Sequence, residues 1–62
     1  MCESNVYILR EGQEELIMES VGSLIRGNGN ITLKSIFGEK VSVDAELIEI
    51  DLIGHKITLK AI

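Results

Sequence analysis

The sequence of 62 residues has no proline and no tryptophan, and only one cysteine, Cys2; its aromatic side chains are Tyr7 and Phe37. A lone cysteine excludes a disulfide within one chain. With His55 as the single histidine, a structural zinc site built from Cys and His has too few donors. No apolar run approaches the ~20 residues of a bilayer-spanning helix. The first residues lack the basic and apolar segments of a secretory signal. An unpaired cysteine suits a reducing, cytoplasmic setting. Basic side chains are also scarce, six against ten acidic, for a net charge of −4. Nucleic-acid binding rests on neutralised phosphates and stacked bases. An acidic chain with so few aromatics is a poor candidate for that role, and its charge favours cations over anions.

What remains is a globular composition, 45% hydrophobic and 26% charged, in a chain of single-domain length spanning residues 1–62. Folding a chain this short buries roughly 60% of its unfolded surface. Such domains usually need a staple. With disulfide and zinc excluded, a second copy of the chain is the staple left, and a homodimer is expected.

Short runs rich in Ile, Val and Leu, separated by glycines and polar clusters, predict strands. Asn5–Arg10 is apolar on both faces, so both should be covered. Glu11–Glu15 reads as a loop. Leu16–Arg26 could present one apolar helical face, but Gly22 weakens a helix by about 1 kcal/mol relative to Ala, and the next residues favour a strand. Asn28-Gly29 is a two-residue hairpin signal of type I′. Counting outward from it places Gly27 opposite Asn30, Arg26 opposite Ile31, Leu24 opposite Leu33 and Val21 opposite Ile36. Apolar then meets apolar, as a fixed register requires. Val21–Arg26 and Ile31–Phe37 are therefore expected to pair antiparallel. Beyond a turn at Gly38–Lys40, the alternation of Val41, Val43 and Ala45 changes phase before Ile48, Ile50 and Leu52, which calls for a bulge or corner near Ala45–Leu47. Gly54-His55 reads as a tight turn before a final strand carrying Ile57, Leu59 and Ala61. The expected fold is all-β: a small antiparallel barrel of five or six short strands, SH3-like or Sm-like, closed to remove its edges.

Catalytic patterns are absent. No serine has an associated base, Glu14, Glu15 and Glu19 read as a solvated acidic face, and there is no phosphate-binding glycine motif. Cys2 is the residue with distinctive chemistry. Removal of the initiator Met leaves a free amine and a thiol on one residue, which together close a five-membered chelate ring; a deprotonated backbone amide can add a second nitrogen. Thiolate with nitrogen donors suits nickel(II) or copper(II). The competing reading of Cys2 is an inert small hydrophobe. Glu3 is a harder oxygen donor that reads as a solvated charge. His55 reads as a surface turn residue, and no sequence relation brings it near Cys2.

The opening Met1-Cys2-Glu3-Ser4-Asn5-Val6-Tyr7 resembles the start of the CooT family, small nickel-binding accessory proteins linked to maturation of carbon monoxide dehydrogenase. Phe37-Gly38-Glu39, then Ile48-Glu49-Ile50-Asp51-Leu52, then His55-Lys56-Ile57 are similar to that family's C-terminal half, so the resemblance covers nearly the whole chain. It implies a small all-β homodimer, not an enzyme, that binds Ni(II) through Cys2 and serves a nickel enzyme or its maturation factors. It gives His55 no ligand role. Some relatives carry an RNA-binding label, and the acidic charge of this chain argues against it. Two functional readings follow: a nickel-binding accessory protein, or a small Sm-like RNA-binding or interaction module in which Cys2 is incidental.

Overall fold

A computed structural model describes residues 3–62; the expected metal ligand, Cys2, lies outside the described residues. Six strands follow in order: β1 Ser4–Arg10, β2 Gln13–Arg26, β3 Ile31–Ser35, β4 Lys40–Val43, β5 Ala45–Asp51 and β6 Lys56–Ala61. They form one sheet in the order β4-β3-β2-β1-β6-β5. No described segment is a helix, and Leu16–Ile25 belongs wholly to β2.

The hairpin register holds next to the turn. Leu24 pairs with Leu33, Ser23 with Lys34, and Arg26 with Ile31. The Gly27 amide donates to the Asn30 carbonyl at 2.9 Å. Only Gly29 in this turn takes a positive φ, 74°, so the turn is not of type I′, which needs two such residues. Farther out the register slips: Val21 faces Ser35 rather than Ile36. The slip lies between Val21 and Ser23, where Gly22 is the extra residue of β2; just beyond, β2 kinks at Ser20, where φ is 56°, and the Ile36 amide donates to the Ser20 carbonyl. β3 then ends at Ser35, whose buried hydroxyl accepts from the amides of Phe37 and Glu39, each at 3.1 Å. Gln13–Glu15, expected as loop, are strand, because Leu9 and Arg10 pair with Glu14 and Gln13. The phase change is accommodated in two places, a break at Asp44 and an irregularity between Leu47 and Glu49.

Two features of the expected barrel are corrected. The sheet is mixed, because β1 and β6 run parallel, with Val6 beside Ile57 and Ile8 beside Leu59. It is also not closed. β4 and β5 are the two edges of the strand order, yet Asp44 alone separates them in sequence. The sheet must curl to bring these edges together at that corner. Beyond it, β4 pairs only with β3 and β5 only with β6. The aliphatic alternation that suggested a barrel encodes the curl, and the edges stay unpaired.

The curl wraps a core of Val6, Ile8, Val21, Ile31, Leu33, Ala45, Ile57 and Leu59. Each fully buried aliphatic side chain contributes about 1.5–3 kcal/mol. β1 sits at the centre of the sheet, with Val6 and Ile8 buried and Tyr7 and Leu9 half-buried on the other face.

Candidate functional site

The end of the sheet where β1 begins gathers polar groups from three parts of the chain. Asn5 joins them. Its amide donates to the carbonyl of His55 at 2.9 Å, and its side-chain Oδ1 accepts from the amide of Ser20 at 3.3 Å. One residue thus ties the kink of β2 and the turn before β6 to the start of β1.

The Leu52–His55 turn is built by Asp51. Its Oδ1 accepts from the amides of Ile53 and Gly54 at 3.1 and 2.9 Å, the local pattern that makes Asp a turn former. Gly54 leaves room for that carboxylate, since a Cβ there would lie 2.8 Å from Asp51 Oδ2 and would displace it. The turn closes on His55, a non-glycine residue with φ of 53°. Asn, Asp and His are the side chains enriched in that region.

Glu3, Asn5, Ser20, Gly54 and His55 line an open cleft of about 330 Å³. His55 is exposed and its imidazole hydrogen-bonds no described residue. Glu3 is half-buried. Lys56, next along β6, engages other partners: its Nζ donates to Glu14 Oε1 at 2.9 Å and lies 4.9 Å from the centre of the Tyr7 ring. The hydrogen bond to Glu14 holds the Lys56 ammonium above its ordinary pKa, opposed by desolvation and helped by the charge of the same carboxylate.

Among the described residues, no three Cys, His, Asp or Glu side chains converge as a metal cage. The cleft carries one hard donor, Glu3, and one borderline donor, His55. Such a pair cannot enclose a transition ion unaided. Glu3 is the residue directly after Cys2. The structure brings His55 to the beginning of β1, a placement that no sequence relation announces. Sequence reading missed this grouping because the β1–β6 pair is parallel and has no turn motif to announce it. The matching apolar positions of Val6-Ile8 and Ile57-Leu59 were the available signal.

Comparison with known proteins gives a consistent result. The family model for the CO dehydrogenase accessory protein CooT matches residues 1–60. A crystal structure of a protein assigned as CooT from Carboxydothermus hydrogenoformans superposes with a TM-score of 0.90 and 31% sequence identity, covering 98% of each chain. No curated protein matches the chain significantly.

Proposed function

We propose a function from one premise: the chain belongs to the CooT family, accessory proteins of carbon monoxide dehydrogenase. On this reading the protein holds Ni(II) as cargo through the thiolate of Cys2, for maturation of a metalloenzyme or for nickel handling more broadly. It is an accessory protein rather than a catalyst, and it works in the reducing cytoplasm as a homodimer.

The observation that carries the reading is the family match from residue 1, so that Met1-Cys2 falls inside it, together with the polar cleft at the end of β1. The chemistry follows from the donor. A thiolate and the amine of the same residue chelate a soft-to-borderline ion, and a neighbouring backbone amide can complete a nitrogen–sulfur set. Protons compete for both groups, so binding weakens as pH falls. Serine at the same position keeps the size and loses the readily ionised donor.

The test is nickel titration of the intact chain and of Cys2→Ser, with mass spectrometry to report Met removal and metal count. Affinity should fall at least ~100-fold in Cys2→Ser, about 2.7 kcal/mol, with an unchanged fold. A sulfur-to-nickel charge-transfer band in the near ultraviolet should disappear with it. Equal affinity in the two proteins places the site elsewhere and puts the interaction-module reading ahead. The dimer is supported by the small core and by large apolar side chains left at the turns, Phe37, Leu52 and Ile53, which are 77%, 78% and 94% exposed. Sedimentation should give twice the chain mass at micromolar concentration, with a melting temperature that falls on dilution; a concentration-independent monomer rejects it.

A further inference from the structure

We propose that Asn28 is a site of spontaneous covalent modification, at which the folded chain converts its own side-chain amide to aspartate or isoaspartate. The inference stands apart from the nickel reading and rests on the geometry of the Gly27–Asn30 turn.

The chemistry needs a side-chain amide and the backbone nitrogen that follows it. The Gly29 nitrogen bonds to Asn28 Cγ. The Cγ–Nδ2 bond breaks, and Nδ2 leaves as ammonia together with the amide proton of Gly29. Nothing is oxidised or reduced. The product is a cyclic succinimide, which one water molecule opens. Cleavage between Cγ and nitrogen gives aspartate. Cleavage at the main-chain carbonyl gives isoaspartate, in which the backbone runs through Cγ.

Asparagine stands at Asn5, Asn28 and Asn30, and the fold treats the three differently. Asn28 is exposed, and among the described residues neither its side chain nor the Gly29 amide has a hydrogen-bond partner. A Cβ on Gly29 would meet nothing within 4 Å beyond its chain neighbours, so the attacking nitrogen stands in open space. Glycine also gives the backbone freedom to bring nitrogen and carbonyl together.

Asn5 is held. Its Oδ1 accepts from the Ser20 amide at 3.3 Å, and the next residue, Val6, is buried and paired with Met18 and Ile57. Asn30 is held as well. Its carbonyl accepts from the Gly27 amide, and its Oδ1 lies where a Cβ on Gly27 would clash. The residue after it, Ile31, is buried and paired with Arg26 and Val43. Reaction at Asn5 or Asn30 therefore requires local opening of the sheet, and reaction at Asn28 does not.

The two products differ in consequence. Aspartate adds one negative charge to a chain of net charge −4. Isoaspartate adds the same charge and one extra backbone atom, inside a turn that the Gly27–Asn30 hydrogen bond closes at 2.9 Å. The isoaspartyl form should therefore have the looser β2–β3 hairpin.

The experiment incubates the purified full chain at physiological pH and temperature, folded and in denaturant. Peptide mapping by mass spectrometry locates each amide-to-acid conversion. A methyltransferase specific for isoaspartyl carboxylates, supplied with a labelled methyl donor, counts the isoaspartate. In the folded chain, conversion at Asn28 should outpace that at Asn5 and Asn30 at least ~10-fold, and should stay within ~10-fold of its own rate in denaturant. Asn28→Ser removes the side-chain carbonyl and should abolish the isoaspartate label. An Asn28 amide that survives in the folded chain while converting in denaturant overturns the proposal, because the turn then protects it. A label that persists in Asn28→Ser also overturns it, since the reaction then lies elsewhere.

Discussion

Two turns of the molecule are of similar size and differ in what holds them. The Gly27–Asn30 turn joins two strands that pair with each other, and it is closed by its own Gly27–Asn30 hydrogen bond. The Leu52–His55 turn also joins a paired hairpin, β5 and β6, but its last carbonyl accepts from Asn5, in a strand remote in sequence. Its shape is set by a side chain, Asp51, and its exit residue has an unusual φ. The first turn serves the hairpin alone. The second also fixes a histidine at the border of the cleft and ties it to β1, so changes there should be felt at the start of β1 as well as within the hairpin.

Asp51→Ala tests this difference most strongly. Two amides lose their acceptor, which should cost about 1–3 kcal/mol. Exchange of the Asn5 amide, whose acceptor is the His55 carbonyl, should quicken together with the fall in melting temperature. Unchanged exchange at Asn5 in a destabilised variant would show that the turn and the start of β1 are held independently. Gly29→Ala is the counterpart. Its positive φ of 74° makes a Cβ unfavourable by about 1 kcal/mol, so thermal unfolding should move down by about 4–8 °C. Titration should show an unchanged nickel affinity, since nothing at the cleft touches that turn.

The smallest effect is expected at Lys56. Its ion pair with Glu14 is largely open to solvent, and exposed pairs contribute little. The folded-state pKa is raised by the Glu14 hydrogen bond. Its contribution is therefore fully present below the ordinary lysine value of about 10.4 and is lost as pH rises through the raised value. Lys56→Gln should lower the melting temperature slightly at neutral pH and low salt. The difference should shrink in high salt and vanish in strongly alkaline solution. A large, salt-insensitive loss would mean that packing of the Lys56 stem on Tyr7 matters more than its charge.

These contrasts also mark how much was legible in the sequence. The hairpin was readable because its register is set by adjacent residues, with Leu24 opposite Leu33 counted from one turn. The count failed at Val21 because β2 carries one extra residue at Gly22, between Val21 and Ser23, and a bulge leaves the alternation on either side of it looking regular. The strand character of Gln13–Glu15 was hidden by polarity, since an exposed strand end needs no apolar face. The parallel pairing of β1 with β6 has no turn motif and is signalled only by the matching apolar positions of Val6-Ile8 and Ile57-Leu59, so the juxtaposition of Asn5, Ser20 and His55 went unread with it. Barrel closure was overread: alternation reports which face is buried, and edge-to-edge hydrogen bonding leaves no comparable pattern. Cys2 stood out for its chemistry and position, which owe nothing to the fold.

The parallel pair has a consequence for how the molecule comes into being. Asn5 aligns with Lys56, so one whole side of β1 has no partner until almost the entire chain has been synthesised. The β2–β3 hairpin can form while later residues are still being added, because its contacts are local. The β1–β6 contact closes the longest loop in the fold and waits for the last strand. The Asn5–His55 hydrogen bond belongs to that closing step. A ribosome-bound chain lacking β6 thus has Glu3 and Asn5 but not the Gly54–His55 wall of the cleft they line, and that end of the fold is a product of completed translation.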